Sequence, residues 1–227
     1  MDDVWVVVPA RNEATTIAQV VTGLREQFEH VVCVDDGSSD RTADLARAAG
    51  AVVLRHALNR GQGAALQTGF DFVLRQGTGR YVITFDADGQ HLTTDAVRMV
   101  RHAREHRLDV VLASRFLGEC STIPTSRLTL LRAAIWFSRR TSGLTLTDTH
   151  NGLRVLSLTA LQCIRLNFPG MAYASELETG VARSGLPWCE LPTTVLYTDY
   201  SRSKGQHNSN AVNIVFDLAL RRLRVAS

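Results

Sequence analysis

Short apolar runs alternate with stretches of helical period along the first half of the chain. Val4-Trp5-Val6-Val7-Val8 is continuously apolar and stops at Pro9. A run with no polar side suits a strand covered on both faces of a parallel sheet. Ile17, Val20, Val21 and Leu24 then recur at helical spacing, which predicts a helix from about Glu13 to Gln27. The pattern repeats as a strand His30 to Val34 and a helix capped by Ser39 or Asp40 that ends near Gly50. A strand Ala51 to Leu54, a helix from about Gly63 to Arg75 and a strand Tyr81 to Phe85 follow. Such alternation predicts an α/β fold, a mostly parallel sheet flanked by helices.

The remainder is less regular. Val110 to Ser114 reads as a strand, Leu128 to Arg140 as a helix and Asp148 to Val155 as a loop entering a strand. Ser157 to Ile164 and Ser175 to Ser184 read as helices, and Leu191 to Tyr197 as a strand. No internal repeat or low-complexity linker divides the chain, so a single domain over 1–227 is expected.

Composition changes this picture little. With 45% hydrophobic and 21% charged residues the chain is ordinary globular material. A net charge of +3 is too small to argue for nucleic acid. Arginines concentrate at 98–107, 127–140 and 221–224. No apolar run is long enough to span a bilayer. The four cysteines, Cys33, Cys120, Cys163 and Cys189, lack CxxC spacing, and no leader-like segment precedes the first strand. A reducing cytoplasm is therefore expected, with Cys33 a buried small hydrophobe.

The chemistry gathers at strand ends, where open α/β sheets bind their ligands. Glu13 follows the first strand, Asp35-Asp36 the second and Asp86-Ala87-Asp88 the fourth. Two carboxylates at i and i+2 leaving a strand lie on one side of the backbone. They can face a hard cation such as Mg²⁺ or Mn²⁺, whose other positions go to phosphate and water. Gln90 and His91 stand close enough to extend the site; His91 suits a supporting position better than ligation, because such a cation prefers oxygen. Asp35-Asp36-Gly37-Ser38-Ser39-Asp40 is either a turn with a helix cap or an acceptor of hydrogen bonds from a nucleoside. Asn59-Arg60-Gly61-Gln62-Gly63 fits neither phosphate-loop pattern; its glycines are expected to let a helix start lie close to the sheet.

Val6-Val7-Val8-Pro9-Ala10-Arg11-Asn12-Glu13, Val34-Asp35-Asp36-Gly37-Ser38-Ser39-Asp40, Asn59-Arg60-Gly61-Gln62-Gly63 and Asp86-Ala87-Asp88-Gly89-Gln90-His91, in this order, resemble the family 2 glycosyltransferases of GT-A fold. Dolichol-phosphate mannosyltransferases and bacterial polyprenyl-phosphate sugar transferases are the most similar in pattern. The likeness continues through 113–116, 148–154, Ser175-Glu176 and 202–205. It implies that Pro9, Arg11, Glu13, Val34 and Asp36 line a nucleoside pocket and that Asp86, Asp88 and Gln90 hold the metal, with Ala87 near the donor. It also implies that Arg115 meets phosphate and that Arg202 closes on a phosphate, with Lys204 and Arg127 among the binding residues. The family usually carries an aromatic residue where Arg11 stands, and a basic one where Asn208 stands. On this view 1–115 binds the nucleotide sugar, and 116–227 binds the acceptor and ends in a helix.

The implied reaction is an inverting transfer from a nucleotide diphosphate sugar. A polyprenyl phosphate acceptor, already anionic, needs no base; a sugar hydroxyl in a cell-envelope or lipid-linked glycan does, with Asp148 first and Glu176 second in line. A non-catalytic nucleotide-binding subunit is the alternative from another class. Basic amphipathic stretches at 127–140 and 212–225 suit the inner membrane face. Arginine attachment is weak and salt-sensitive, so a small membrane-protein partner is expected as well.

Overall fold

The structure, a computed structural model, describes residues 1–117, 144–149, 151–168, 170 and 172–196. The expected basic helices at 127–140 and 212–225, and Arg127, Arg202 and Lys204 with them, lie outside the described residues.

Seven strands form one sheet: β1 (Val4–Ala10), β2 (His30–Asp35), β3 (Val52–Arg55), β4 (Tyr81–Thr84), β5 (Val110–Ser114), β6 (Arg154–Ser157) and β7 (Trp188–Pro192). Their order is β3-β2-β1-β4-β6-β5-β7. All pairings are parallel except those of β6, which runs antiparallel to both β4 and β5. After β1 the chain builds outward through β2 and β3, then crosses to β4 on the other side. The ends of β1 and β4 therefore flank a switch point, where a crevice opens.

The apolar strands serve two cores. Val4, Val6, Val8, Cys33 and Ile83 face one side, against Ile17, Val21 and Leu24 of α1 (Ile17–Arg25) and Met99 and Val100 of α4 (Thr93–Glu105). The small helix α2 (Thr42–Ala48) joins them through Ala46. Trp5, Val7, Val32, Val34 and Val82 face the other side. There they meet Leu66, Phe70 and Val73 of α3 (Gln62–Gln76), Leu161 of α5 (Leu158–Cys163) and Leu177 of α6 (Tyr173–Ser184). Burial and the nearby Asp35 charge push the Cys33 thiol up to about 12, which leaves it an inert part of the core.

Four expectations shift. β1 continues through Pro9 to Ala10, because past Val7 it pairs only with β2 and a missing amide breaks no bond on the open side. α1 begins at Ile17; the turn Glu13 to Thr16 before it is held from outside, by Thr42 and Asp40. α4 has no counterpart in the sequence reading, since Ala96, Val97, Met99, Val100 and Ala103 are interrupted by Arg98, Arg101 and His102. The last strand starts three residues earlier than expected and ends five earlier, at Pro192: Thr193 N still bonds Ser114 O at 3.0 Å, but Thr194 N turns to Asp95 Oδ2 at 2.8 Å.

The glycines of α3 divide the approach expected of the helix start. A Cβ on Gly63 would stand 2.1 Å from Phe168 O and 2.7 Å from Tyr173 Cβ, so Gly63 meets the start of α6 and the segment before it, not the sheet. Gly69 meets the sheet: a Cβ there would lie 2.3 Å from Val7 Cγ1. Gly69→Ala is expected to lower stability by about 1–3 kcal/mol through overpacking against a stiff β-branched neighbour. An unchanged thermal midpoint would show that α3 can slide on the sheet.

Candidate active site

The loops after β1 and β2 are laced together. Asn12, at φ 52°, takes the left-handed conformation that Asn tolerates, and its Oδ1 accepts from Ser39 N at 2.9 Å. Asn12 N donates to Ser38 Oγ at 3.0 Å, Glu13 N to Thr42 Oγ1 at 2.8 Å and Ala14 N to Asp40 Oδ2 at 3.2 Å. The cap of α2 is neither Ser39 nor Asp40 but Arg41, whose side chain makes no cap bond; Asp40, one residue further out, accepts from Thr42 N through Oδ1 at 2.9 Å. Arg11 is exposed at the tip of this pair of loops. Pro9 and Val34 are paired across β1 and β2 and buried, and the Val34 side chain packs in the core under α3.

Asp35 and Asp36 are both buried. Asp35 Oδ1 accepts from Ser38 N at 3.1 Å, and its Oδ2 lies 3.0 Å from Arg55 Nε in an ion pair with poor hydrogen-bond direction. Asp36 Oδ1 accepts from Arg60 N at 2.8 Å and faces His56 Nδ1 at 2.7 Å. Its Oδ2 accepts from Gly61 N at 2.7 Å. The contacts of Asp36 thus run to the turn before α3.

Asp86 and Asp88 leave β4 into the crevice. Gln62 Nε2 donates to Asp86 Oδ1 at 3.0 Å, and His91 Nε2 lies 3.3 Å from Asp86 Oδ2. Arg154, buried on β6 with its guanidinium 5.5 Å over the Tyr173 ring, adds a positive field. Burial raises the Asp86 carboxyl, but the His91 hydrogen bond and charge, then Arg154 and Gln62, outweigh it and hold the group below its usual range. Asp88 goes the other way: burial, then the Asp86 charge, push it up to about 6 against the bond from Gln90 N. Glu13 adds to that repulsion, which places the acid after β1 near the pair after β4. Thr16 Oγ1 ties α1 to Ala87 O at 2.8 Å. Two adjacent carboxylates, one held ionised and the other disfavoured by its neighbour, form a donor set that fits a divalent cation. Among the described residues no cluster of three or more His, Cys, Asp or Glu could cage a metal. The pair therefore suits an ion that completes its shell from phosphate and water.

Arg115 is held on the far side of the site by Asp148, whose Oδ2 accepts from Arg115 N at 3.0 Å and Nε at 2.7 Å. Asp148 Oδ1 accepts from Thr149 N at 2.8 Å, and Glu190 of β7 fixes the same turn through Thr147 N and Asp148 N. Glu176, the other candidate base, accepts from Asn167 N, Phe168 N and Asn167 Nδ2 at 2.8, 3.0 and 3.0 Å. Both carboxylates are bound up in loop structure. Gly152 lies against Asp86: a Cβ there would be 1.8 Å from Asp86 Oδ2, and its carbonyl accepts from Thr84 Oγ1 at 2.6 Å.

The structure thus joins Glu13, Asp86, Ala87, Asp88 and Gln90 at one edge and pairs Arg115 with Asp148. The sequence reading assigned nothing to Gln62, His56, Arg154, Gly152 or Glu190. Gln62, Gly152 and Arg154 carried a signal only as members of the stretches 59–63 and 148–154 that resemble the family; His56 and Glu190 carried none.

The family described as Glycosyl transferase family 2 matches residues 5–163. An uncharacterized protein of Methanocaldococcus jannaschii is 33% identical over 227 residues, covering 98% of this chain and 93% of the relative. A UDP-N-acetylglucosamine–dolichyl-phosphate N-acetylglucosaminyltransferase of Methanococcus voltae is 25% identical, covering 96% of this chain and 95% of its own. A polyprenol monophosphomannose synthase of Mycolicibacterium smegmatis is 28% identical, at 94% and 84%. In fold the chain is similar to glucosyl-3-phosphoglycerate synthase from Mycobacterium tuberculosis, solved with Mn²⁺, UDP-glucose and phosphoglyceric acid. The TM-score is 0.66 at 18% identity, over 97% of this chain and 79% of the other.

Proposed function

Since the chain belongs to glycosyl transferase family 2, we propose that it moves a sugar from a nucleotide diphosphate sugar to a polyprenyl phosphate. The observation that carries this reading is the Asp86–Asp88 pair, fixed at the switch point of a GT-A sheet and prepared for a cation by its own neighbours. The M. voltae and M. smegmatis relatives support the acceptor class by their names, and the Mn²⁺ and UDP-glucose complex of the structural neighbour supports the metal and donor classes. The two relatives differ in the sugar they are named for, so the donor is to be found by screening.

Asp86 and Asp88, with Gln90 beside them, would hold Mg²⁺ or Mn²⁺. Bound there, the ion neutralises charge on the departing nucleoside diphosphate. Glu13, Asp36 and the laced loops after β1 and β2 form the donor side, with Arg11 at its exposed rim. Arg115, anchored through Nε by Asp148, supplies a cation of fixed orientation for phosphate. An acceptor phosphate oxygen attacks the anomeric carbon, the bond from that carbon to the donor phosphate breaks, and the nucleoside diphosphate leaves with the electron pair. No proton needs removal, which agrees with Asp148 and Glu176 having their oxygens engaged in loop hydrogen bonds.

The acceptor sits in a bilayer, whereas among the described residues no helix is long and apolar enough to cross a membrane. Peripheral attachment at the inner face, through the basic segments outside the described residues or a small membrane protein, completes the reading. The test supplies UDP- and GDP-sugars with Mn²⁺ and either a polyprenyl phosphate or the matching unphosphorylated polyprenol. A sugar-linked lipid is expected from the phosphate alone. Equal product on the polyprenol would move the assignment to a hydroxyl acceptor.

A further inference from the structure

Gln62 opens α3, and its side-chain amide is a direct protein hydrogen bond to Asp86, Nε2 to Oδ1 at 3.0 Å. The turn before it decides where that amide stands. Gly61, at φ 89°, takes a conformation that side chains resist, and its N–H is fixed on Asp36 Oδ2 at 2.7 Å. Arg60 N is fixed on Asp36 Oδ1 at 2.8 Å. Behind the carboxylate, His56 bridges Asp36 Oδ1 at 2.7 Å to Thr68 Oγ1 of α3 at 2.9 Å. The turn also rests on backbone: a Cβ on Gly37 would lie 2.8 Å from both Asn59 N and Leu58 C. A continuous path of short contacts therefore runs from Asp36, through the 58–61 turn, to Gln62 and Asp86.

We propose that Gln62 is a positioning residue for the metal carboxylate, and that Asp36 acts on the same carboxylate at one remove, by fixing the turn from which Gln62 projects. The proposal rests on reading Asp86 and Asp88 as the metal-holding pair. The chemistry of the amide suits the task. Asp86 has a side chain 27% exposed, so its carboxylate is open to a cation, and a neutral donor orients it without cancelling the charge that cation needs. A lysine or arginine there would compete with the ion. The arrangement also gives Asp36 work that needs no contact with a nucleoside, because three internal partners already engage both its oxygens.

Mn²⁺ alone is titrated into the purified full chain, with free ion read by electron paramagnetic resonance and folding by thermal melt. Gln62→Ala and Asp36→Asn are each expected to weaken Mn²⁺ by roughly 10- to 100-fold, as loss of an outer partner does. The double variant is expected to bind no worse than the weaker single one, since both act through one hydrogen bond. Gln62→Ala replaces a half-buried helix-start residue with a good helix former; if Asp36→Asn does not fold, this variant decides alone. Wild-type affinity in Gln62→Ala overturns the proposal, and so do single effects that multiply in the double variant. Equal Mn²⁺ binding by wild type and Asp88→Asn, or none by either, overturns the reading of the carboxylate pair and this inference with it.

Discussion

Gly152→Ala is expected to cut transfer by on the order of 100-fold or more while the chain still folds. The added Cβ would stand 1.8 Å from Asp86 Oδ2, 2.2 Å from its Cγ and 2.5 Å from Oδ1, so one partner must move. If Asp86 swings away it leaves Gln62 and His91, and the pair no longer faces one cation. If the 148–153 loop withdraws instead, it pulls on the Thr84–Gly152 bond and on Asp148, and through Asp148 on Arg115. Either response disturbs a group placed in the reaction, whereas the cores on both faces of the sheet are untouched. Steady-state kinetics beside a thermal melt would check this. Near-normal turnover would show that the loop yields without moving Asp86 or Arg115.

Asp88→Asn is expected to abolish transfer and, at the same time, to stabilise the metal-free protein above about pH 6. The sign follows from the direction of the shift. The Asp88 carboxyl stands at about 6 in the fold against an ordinary value of 3.8, so folding disfavours its charged form. Below the lower value the group is protonated in both states and contributes nothing. Between the two the unfolded chain ionises first, and above the upper value the full penalty applies. Asparagine removes the charge, so the gain should grow through that window and then level off, at on the order of 1–2 kcal/mol after allowing for partial exposure. Melting curves of metal-free wild type and variant across pH would measure it. Chelation should silence the wild type, and added Mn²⁺ should restore wild type only. Activity surviving chelator at full rate, or a variant less stable than wild type at pH 8, would contradict the account of this carboxylate.

Much of the first half was legible because its strands are apolar on both faces and its helices carry clean stripes. Val4 to Val8 can only be buried twice over, and Ile17, Val20, Val21 and Leu24 can only be one helix face. The acids at the ends of β1, β2 and β4 were equally visible, since one Asp-Gly pair is ordinary turn chemistry but acids after three strands of one parallel sheet converge on one edge. α4 was hidden by arginines and a histidine among its apolar positions, and the end of β7 by Val195 and Leu196, which follow two threonines and leave β5 for a bridge from Val195 to His91. The supporting residues were harder to see. Gln62 is 24 residues from the Asp86 it touches, and Arg154 reads as an ordinary strand residue until Tyr173 and Asp86 are placed around it. Their roles come from tertiary proximity, to which local periodicity is blind.

The reversed direction of β6 has a consequence for how the protein comes to be. β1, β2 and β3 arise from successive βα units, with neighbours close in sequence, whereas Thr84 meets Gly152 across 68 residues. Closing that long loop costs chain entropy before any contact repays it, as does the pairing of Tyr81 on β4 with Val4 on β1. Both are slow steps, and β6 comes second because it is made later. A growing chain can assemble the crevice of β1, β2 and β4 while Asp86 still lacks Gly152 at its back and Arg154 beside it. Such an intermediate would expose its acidic edge unfinished, and competence for transfer would arrive only when the antiparallel strand is inserted between β4 and β5.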